Sequence, residues 1–179
     1  VVLFAGKLVA AKQPRVLLEA FLSLARPDTA LVFVGDGEER AALVEAARAA
    51  PAGRVHFLPF ANQSEMPARY LLADIFALPS RGLYETWGLA VNEAMHMNRP
   101  CLVSDRVGCQ QDLVTDGDTG WVFPAEDPVG LRDRLAAALA ADLAAFQPRV
   151  AARIAGYTYA TASAGLVRAV ASACAPNRR

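Results

Sequence analysis

The sequence predicts an α/β fold, a doubly wound parallel sheet of about six strands with helices on both faces and a helical C-terminal end. Three observations predict it. Short, uninterrupted apolar runs recur between residues 1 and 123, and such runs suit strands buried on both faces. Amphipathic segments rich in helix formers separate them. After Asp127-Pro128 the pattern becomes purely helical. Strands that alternate with crossover helices pair in parallel, and right-handed crossovers then clothe the sheet on both sides in a Rossmann-like sandwich.

Each element follows from local chemistry. Residues 1–5 form a strand ended by Gly6. Pro14 suits a first helical position, where its missing N–H would have no partner anyway, and Val16, Leu17, Ala20, Phe21 and Leu24 then share a stripe. Residues 30–34 are apolar, with β-branched Val32 and Val34, and stop at Gly35-Asp36-Gly37; a helix over 38–50 follows, halted by Pro51. Residues 54–58 make a third strand, and 64–72 a short helix with Ser64 as its start signal. A fourth strand over 74–78 leads to a helix over 88–97, a fifth strand over 101–104, a helical turn over 110–114 and a sixth strand over 120–123. Beyond it, Leu131, Leu135, Ala138 and Leu139 lie on one face. The Ala-rich remainder favours helix, either padding the sheet or reaching toward a neighbouring domain.

Composition narrows the function. The 179 residues carry 18 basic and 18 acidic side chains, with no basic run beyond Arg178-Arg179. Nucleic acid and strongly anionic membranes are therefore not expected partners. Three cysteines, Cys101, Cys109 and Cys174, include no Cys-x-x-Cys pair, which points to a reducing, cytoplasmic setting and away from a disulfide or zinc framework. No apolar stretch approaches the roughly 20 residues of a membrane span. The chain opens on Val1 inside an apolar strand, so a segment of a longer polypeptide is expected.

The informative residues fall in loops after strands. Open α/β sheets bind phosphorylated ligands where strands feed polar loops and helix N-termini. The run 79–93, PSRGLYETWGLAVNE, places Glu85 and Glu93 eight positions apart around a Trp-Gly pair that opens a helix. A carboxylate accepts two hydrogen bonds from vicinal hydroxyls, so Glu93 suits a ribose and Glu85 a transferred sugar. The amides of Trp87, Gly88 and Leu89 suit phosphate. After the first strand, Gly6 precedes Lys7 and Lys12, cations that suit a departing diphosphate, although two solvated loop lysines fit the same pattern. Gly35-Asp36-Gly37 lacks the third glycine of a dinucleotide fingerprint and reads as a tight turn. Residues 60–63 offer Phe60 and Asn62 either as a wall for a base or as a plain solvent loop. Asp116-Gly117-Asp118 spells a metal-binding Asp-x-Asp inside a turn sequence, and turn chemistry accounts for it. His56 reads as a core or edge residue, His96 lacks companion metal ligands, and Cys101 reads as packing.

These residues carry a family resemblance. GKLVAAK, LVFVGDGEER, VHFLPFANQSEMPARYLLADIFALPS, ETWGLAVNEAM and VGCQQDLVTDGDTGWVFPAEDP resemble the C-terminal, donor-binding domain of GT-B fold glycosyltransferases, particularly the retaining family 4. Glu85 and Glu93 fall on that family's Glu-x7-Glu motif. The resemblance implies one nucleotide-sugar-binding domain over residues 1–179, with an N-terminal acceptor domain elsewhere in the parent protein. It implies that Lys7 and Lys12 neutralise the donor diphosphate, and that Glu93 binds ribose. Glu85 and the backbone of Thr86, Trp87, Gly88 and Leu89 would hold sugar and phosphates, while Gly6, Gly35, Phe60, Asn62 and Met66 border the donor. No metal or other cofactor is implied. Lys7 stands where many members carry Arg, Pro59 and Asn98 replace frequent glycines, and loop 81–84 is longer than usual. A nucleotide-sugar epimerase and a non-catalytic nucleotide-binding module of the same fold are the alternatives.

Overall fold

The computed structural model describes residues 1–82 and 84–174. Six parallel strands, β1 (Val2–Ala5), β2 (Leu31–Val34), β3 (Val55–Leu58), β4 (Ile75–Leu78), β5 (Cys101–Ser104) and β6 (Gly120–Phe123), form one sheet in the order β3-β2-β1-β4-β5-β6. All five pairings are parallel. The doubly wound sheet expected from the apolar runs is the one observed. Strands β1, β2, β4 and β5 are buried at every position, whereas the edge strand β3 is half-buried and presents His56 to solvent.

Helices α1 (Pro14–Ser23), α2 (Arg40–Ala47), α3 (Met66–Leu71), α4 (Leu89–His96), α5 (Gln110–Leu113), α6 (Pro128–Ala140), α7 (Leu143–Ile154) and α8 (Tyr159–Cys174) complete the chain. They sort into two packed groups: α1 meets α2 and α6, and α4 meets α3 and α7. Pro14 does occupy the first turn of α1, which buries Leu17, Leu18, Ala20 and Phe21. Asp127 caps α6 by accepting hydrogen bonds from the N–H groups of Val129 and Gly130. Helix α7 seals β6 by stacking Phe146 on Trp121 with ring centroids 4.6 Å apart. Helix α8 buries no residue and exposes Leu166, Val167 and Val170.

Three boundaries differ from expectation, each for a local reason. Helix α2 begins at Arg40 rather than residue 38, because the Glu39 N–H is held by the carbonyl of Leu8 in the loop after β1. Helix α3 begins after a reciprocal cap centred on Asn62, not Ser64. The Asn62 side-chain oxygen accepts from the N–H groups of Ser64 and Glu65, and the Glu65 carboxylate accepts from the Asn62 N–H. Residues 10–12, read as plain loop, form a single 3-10 turn that sets the position of Lys12. Asn98, in place of a glycine, adopts φ 58° just past α4, a left-handed conformation that asparagine tolerates better than most residues. Leu83, in the loop read as longer than usual, and Arg178-Arg179 lie outside the described residues.

The loops after β1 and β2 are in backbone contact. A Cβ on Gly35, whose φ is 131°, would sit 2.2 Å from the carbonyl oxygen of Gly6. Gly35→Ala is therefore expected to destabilise the fold on the order of 2–4 kcal/mol through overpacking and backbone strain. Gly156→Ala, with open space around it, serves as the control and stays within about 0.5 kcal/mol. Denaturant unfolding of both variants checks this.

Candidate functional site at the carboxyl edge of the sheet

The strand order reverses between β1 and β4, and the loops that leave these two strands face each other across the switch point. They are joined there. Lys12 Nζ lies 2.5 Å from Glu85 Oε2 in a partly buried ion pair, the Ser80 hydroxyl donates to the same oxygen at 3.4 Å, and the Arg81 N–H donates to the Ala11 carbonyl at 2.8 Å. Solvent screens such a pair less than one on the open surface, and removing one partner strands the other charge.

Beside this pair opens a cavity of about 470 Å³, lined by Gly6, Lys7, Gly35, Phe60, Met66 and Glu93 among others. Gly6 links the two features, since a Cβ on it would lie 3.5 Å from Lys12 Nζ. Phe60, read either as ligand wall or as a plain loop residue, is 74% exposed and lines the cavity. Asn62 lies outside this lining, its side-chain oxygen being spent on the cap of α3. A second cavity of about 890 Å³ adjoins the first. It shares Gln63, Met66, Tyr70 and Glu93 with it and adds Trp87, Leu89 and residues at the start of α8.

The segment between the two glutamates is shaped by a loop that sequence reasoning had left without a role. The Gly108 N–H donates to the Glu85 carbonyl at 2.9 Å and the Cys109 N–H to the Trp87 carbonyl at 2.7 Å. A Cβ on Gly108 would fall 2.0 Å from the Thr86 carbonyl oxygen, so only glycine lets the loops approach this closely. Gly88 enters α4 at φ 98°, packed against Val107. The N–H groups of Trp87, Gly88, Leu89 and Ala90 donate to no acceptor among the described residues. Unpaired amides at a helix start favour anions.

Tyr70 is the other residue missed. It is 2% exposed, packs edge-on against Phe76, and donates its hydroxyl to Glu93 Oε2 at 2.7 Å. Burial first, then the bond to the Glu93 carboxylate, holds its phenol far above the ordinary tyrosine range. One sequence signal was available: Tyr70 stands one helical turn beyond Met66, on the same face of α3.

The decoys fall where turn and core chemistry put them. Asp116 accepts from the Val122 N–H and pairs with Arg134, and Asp118 pairs with Arg149. Among the described residues, no three His, Cys, Asp or Glu side chains cluster as a metal site. His56 is tied to the Gly53 carbonyl and His96 to the Tyr157 carbonyl. No helix among the described residues is long and apolar enough to cross a membrane.

Residues 1–156 match the family model of the glycosyl transferases group 1, and the chain belongs to this family. It is 33% identical over 174 residues to a D-inositol 3-phosphate glycosyltransferase of Corynebacterium diphtheriae, a match that covers 91% of this chain and 40% of the relative. Solved structures share its fold, among them the two that follow. The lipopolysaccharide outer core galactosyltransferase WaaB superposes with a TM-score of 0.80 at 18% identity, over 96% of this chain and 48% of that one. HepE of Anabaena, solved in complex with UDP, gives 0.76 at 20% identity with the same coverage. The chain thus spans less than half the length of these relatives.

The cysteines give a check on the site's packing. Burial pushes the Cys109 thiol up to about 12 and Cys101 well above its ordinary value, while Cys174 is exposed. A raised thiol pKa leaves the neutral, unreactive form in place at pH 8. A thiol reagent at pH 8 is expected to modify Cys174 alone in the folded chain and all three cysteines after denaturation. Rapid modification of Cys109 would show that the loop contacts around Gly88 and Trp87 are not formed.

Proposed function

We propose that this chain is the C-terminal, donor-binding half of a GT-B fold glycosyltransferase of the retaining family 4 type. The parent enzyme moves a hexose from a nucleoside-diphosphate sugar to a glycan, lipid or small-molecule acceptor held on an N-terminal domain, and it does so without a metal. One observation carries this reading: Lys7 and Glu93 face a single cavity at the carboxyl edge, and the Lys12–Glu85 pair adjoins it through Gly6. The UDP complex of HepE, similar in fold, supports a nucleotide ligand.

Each group then has a task set by its chemistry. Lys7 and Lys12 offset the negative charge that grows on the diphosphate as its bond to the sugar breaks. The unpaired amides from Trp87 to Leu89 meet phosphate oxygens. Glu93 accepts from the ribose diol, and Glu85, oriented by Lys12 and Ser80, holds the transferred sugar. Phe60 and Met66 border the base, with Gly6 and Gly35 allowing close approach. The acidic side chains of the Asp-x-Asp turn are already paired with arginines, which supports a metal-independent reaction. The epimerase alternative calls for a histidine beside the ligand; neither histidine lines the 470 Å³ cavity, and His96 lines only the adjoining one. A cytoplasmic setting, with the parent enzyme peripheral at the inner membrane face, suits donors and acceptors of this kind.

Calorimetric titration of the chain with UDP, GDP and ADP is expected to show binding of at least one of them. Lys7→Ala and Glu93→Ala should each weaken it at least about tenfold, roughly 1.4 kcal/mol. Unchanged affinity in both variants would place the ligand elsewhere. The chain alone is expected to transfer no sugar, and product formation by the purified 179-residue chain in a radiolabelled-donor assay would overturn the need for a second domain.

A further inference from the structure

We infer that Tyr70 is a positioning residue for the diol-binding carboxylate, fixing one oxygen of Glu93 so that the other is presented to the ribose of the ligand. The inference rests on the nucleotide reading of the 470 Å³ cavity and adds to it the source of its preference for a ribose. The Tyr70 hydroxyl donates to Glu93 Oε2 at 2.7 Å, within the range of a hydrogen bond strengthened by a charged acceptor. The ring itself is locked, buried on α3 and edge-on to Phe76 of β4 with centroids 5.6 Å apart. A rigid donor of this kind orders a long, half-buried carboxylate before any ligand arrives, and removes from binding the side-chain entropy that ordering would cost.

The geometry also divides the acceptor capacity of Glu93. A carboxylate offers two oxygens and about four lone-pair sites. Tyr70 takes one site on Oε2, leaving Oε1 and the remaining lone pairs for two ligand hydroxyls. Burial and the adjacent carboxylate push the phenol well above its ordinary range, so near neutral pH it remains a donor to Glu93. Tyr70 and Glu93 both line each cavity, so this bond stands at the junction between the two spaces.

The test compares wild type, Tyr70→Phe and Glu93→Gln by calorimetry, using whichever of UDP, GDP and ADP binds and its 2′,3′-dideoxy counterpart. Wild type is expected to favour the ribonucleotide by at least about tenfold. Tyr70→Phe keeps the ring and its packing. It should lose roughly five- to tenfold in ribonucleotide affinity while leaving dideoxynucleotide affinity unchanged. Retention of the full preference, or an equal loss for both ligands, would overturn the positioning role while leaving the nucleotide reading intact. A wild type that binds none of the three nucleotides would remove that reading and this inference together. Proton NMR of the tyrosine-labelled wild-type chain gives a measure independent of how Tyr70→Phe folds. The hydroxyl resonance of Tyr70, identified by its displacement in Glu93→Gln, should shift with the ribonucleotide and not with the dideoxynucleotide; identical shifts with both would overturn the proposal.

Discussion

Backbone-to-backbone contact between loops at the carboxyl edge of the sheet is the constraint on which the site depends. Side chains at three glycine positions would close the gaps. A Cβ on Gly35 would strike the Gly6 carbonyl, one on Gly37 the Leu8 carbonyl at 2.4 Å, and one on Gly108 the Thr86 carbonyl. Hydrogen bonds then lock what the missing side chains allow. The Leu8 N–H donates to Asp36, the Glu39 N–H to Leu8, and the Gly108 and Cys109 N–H groups to Glu85 and Trp87. Loops held in this way have few conformations of their own, so the backbone positions from which their charged side chains project are fixed.

The charges gain from that rigidity. At the switch point the polar groups stand over a core whose strands are almost wholly apolar, with Phe4, Phe33, Phe76 and Phe123 among the largest fully buried side chains. The Lys12–Glu85 pair bridges loops from β1 and β4, and the two sides of the crevice are tied by a charge contact as well as by the Arg81–Ala11 backbone bond. Under the proposed function an incoming diphosphate meets, in Lys12, a cation whose position already depends on a carboxylate partner, whereas Lys7 is exposed. Binding at Lys12 would then redistribute an existing ion pair instead of ordering a free side chain.

The two glutamates are supported differently, and the difference is physical. Glu85 is held by a cation and a serine hydroxyl, so a charge contact and a hydrogen bond share its Oε2. Glu93 is held by a neutral, buried phenol, which fixes direction without neutralising the charge. The first residues of α8 line the larger cavity, where Trp87 sits near Tyr157 with ring centroids 6.2 Å apart.

Period and punctuation in the sequence determined the α/β class, the six strands and the start of α1 and α6. Continuous apolar runs, Pro14 and Asp127-Pro128 are local signals with local consequences. The spacing of Glu85 and Glu93, and the lysines after the first strand, pointed to loops that the fold brings to one edge of the sheet. Tertiary structure alone decided who touches whom. Lys12 and Glu85 are 73 positions apart, Tyr70 and Glu93 are 23 apart, and Gly108 reaches Thr86 from another strand's loop. Asn62 shows the same limit from the other side: its type suited a ligand, but a nearby helix start claimed its oxygen first. Local periodicity encodes which residues are buried, whereas the pairing of half-buried polar groups depends on sheet order, and no short window of sequence contains that order.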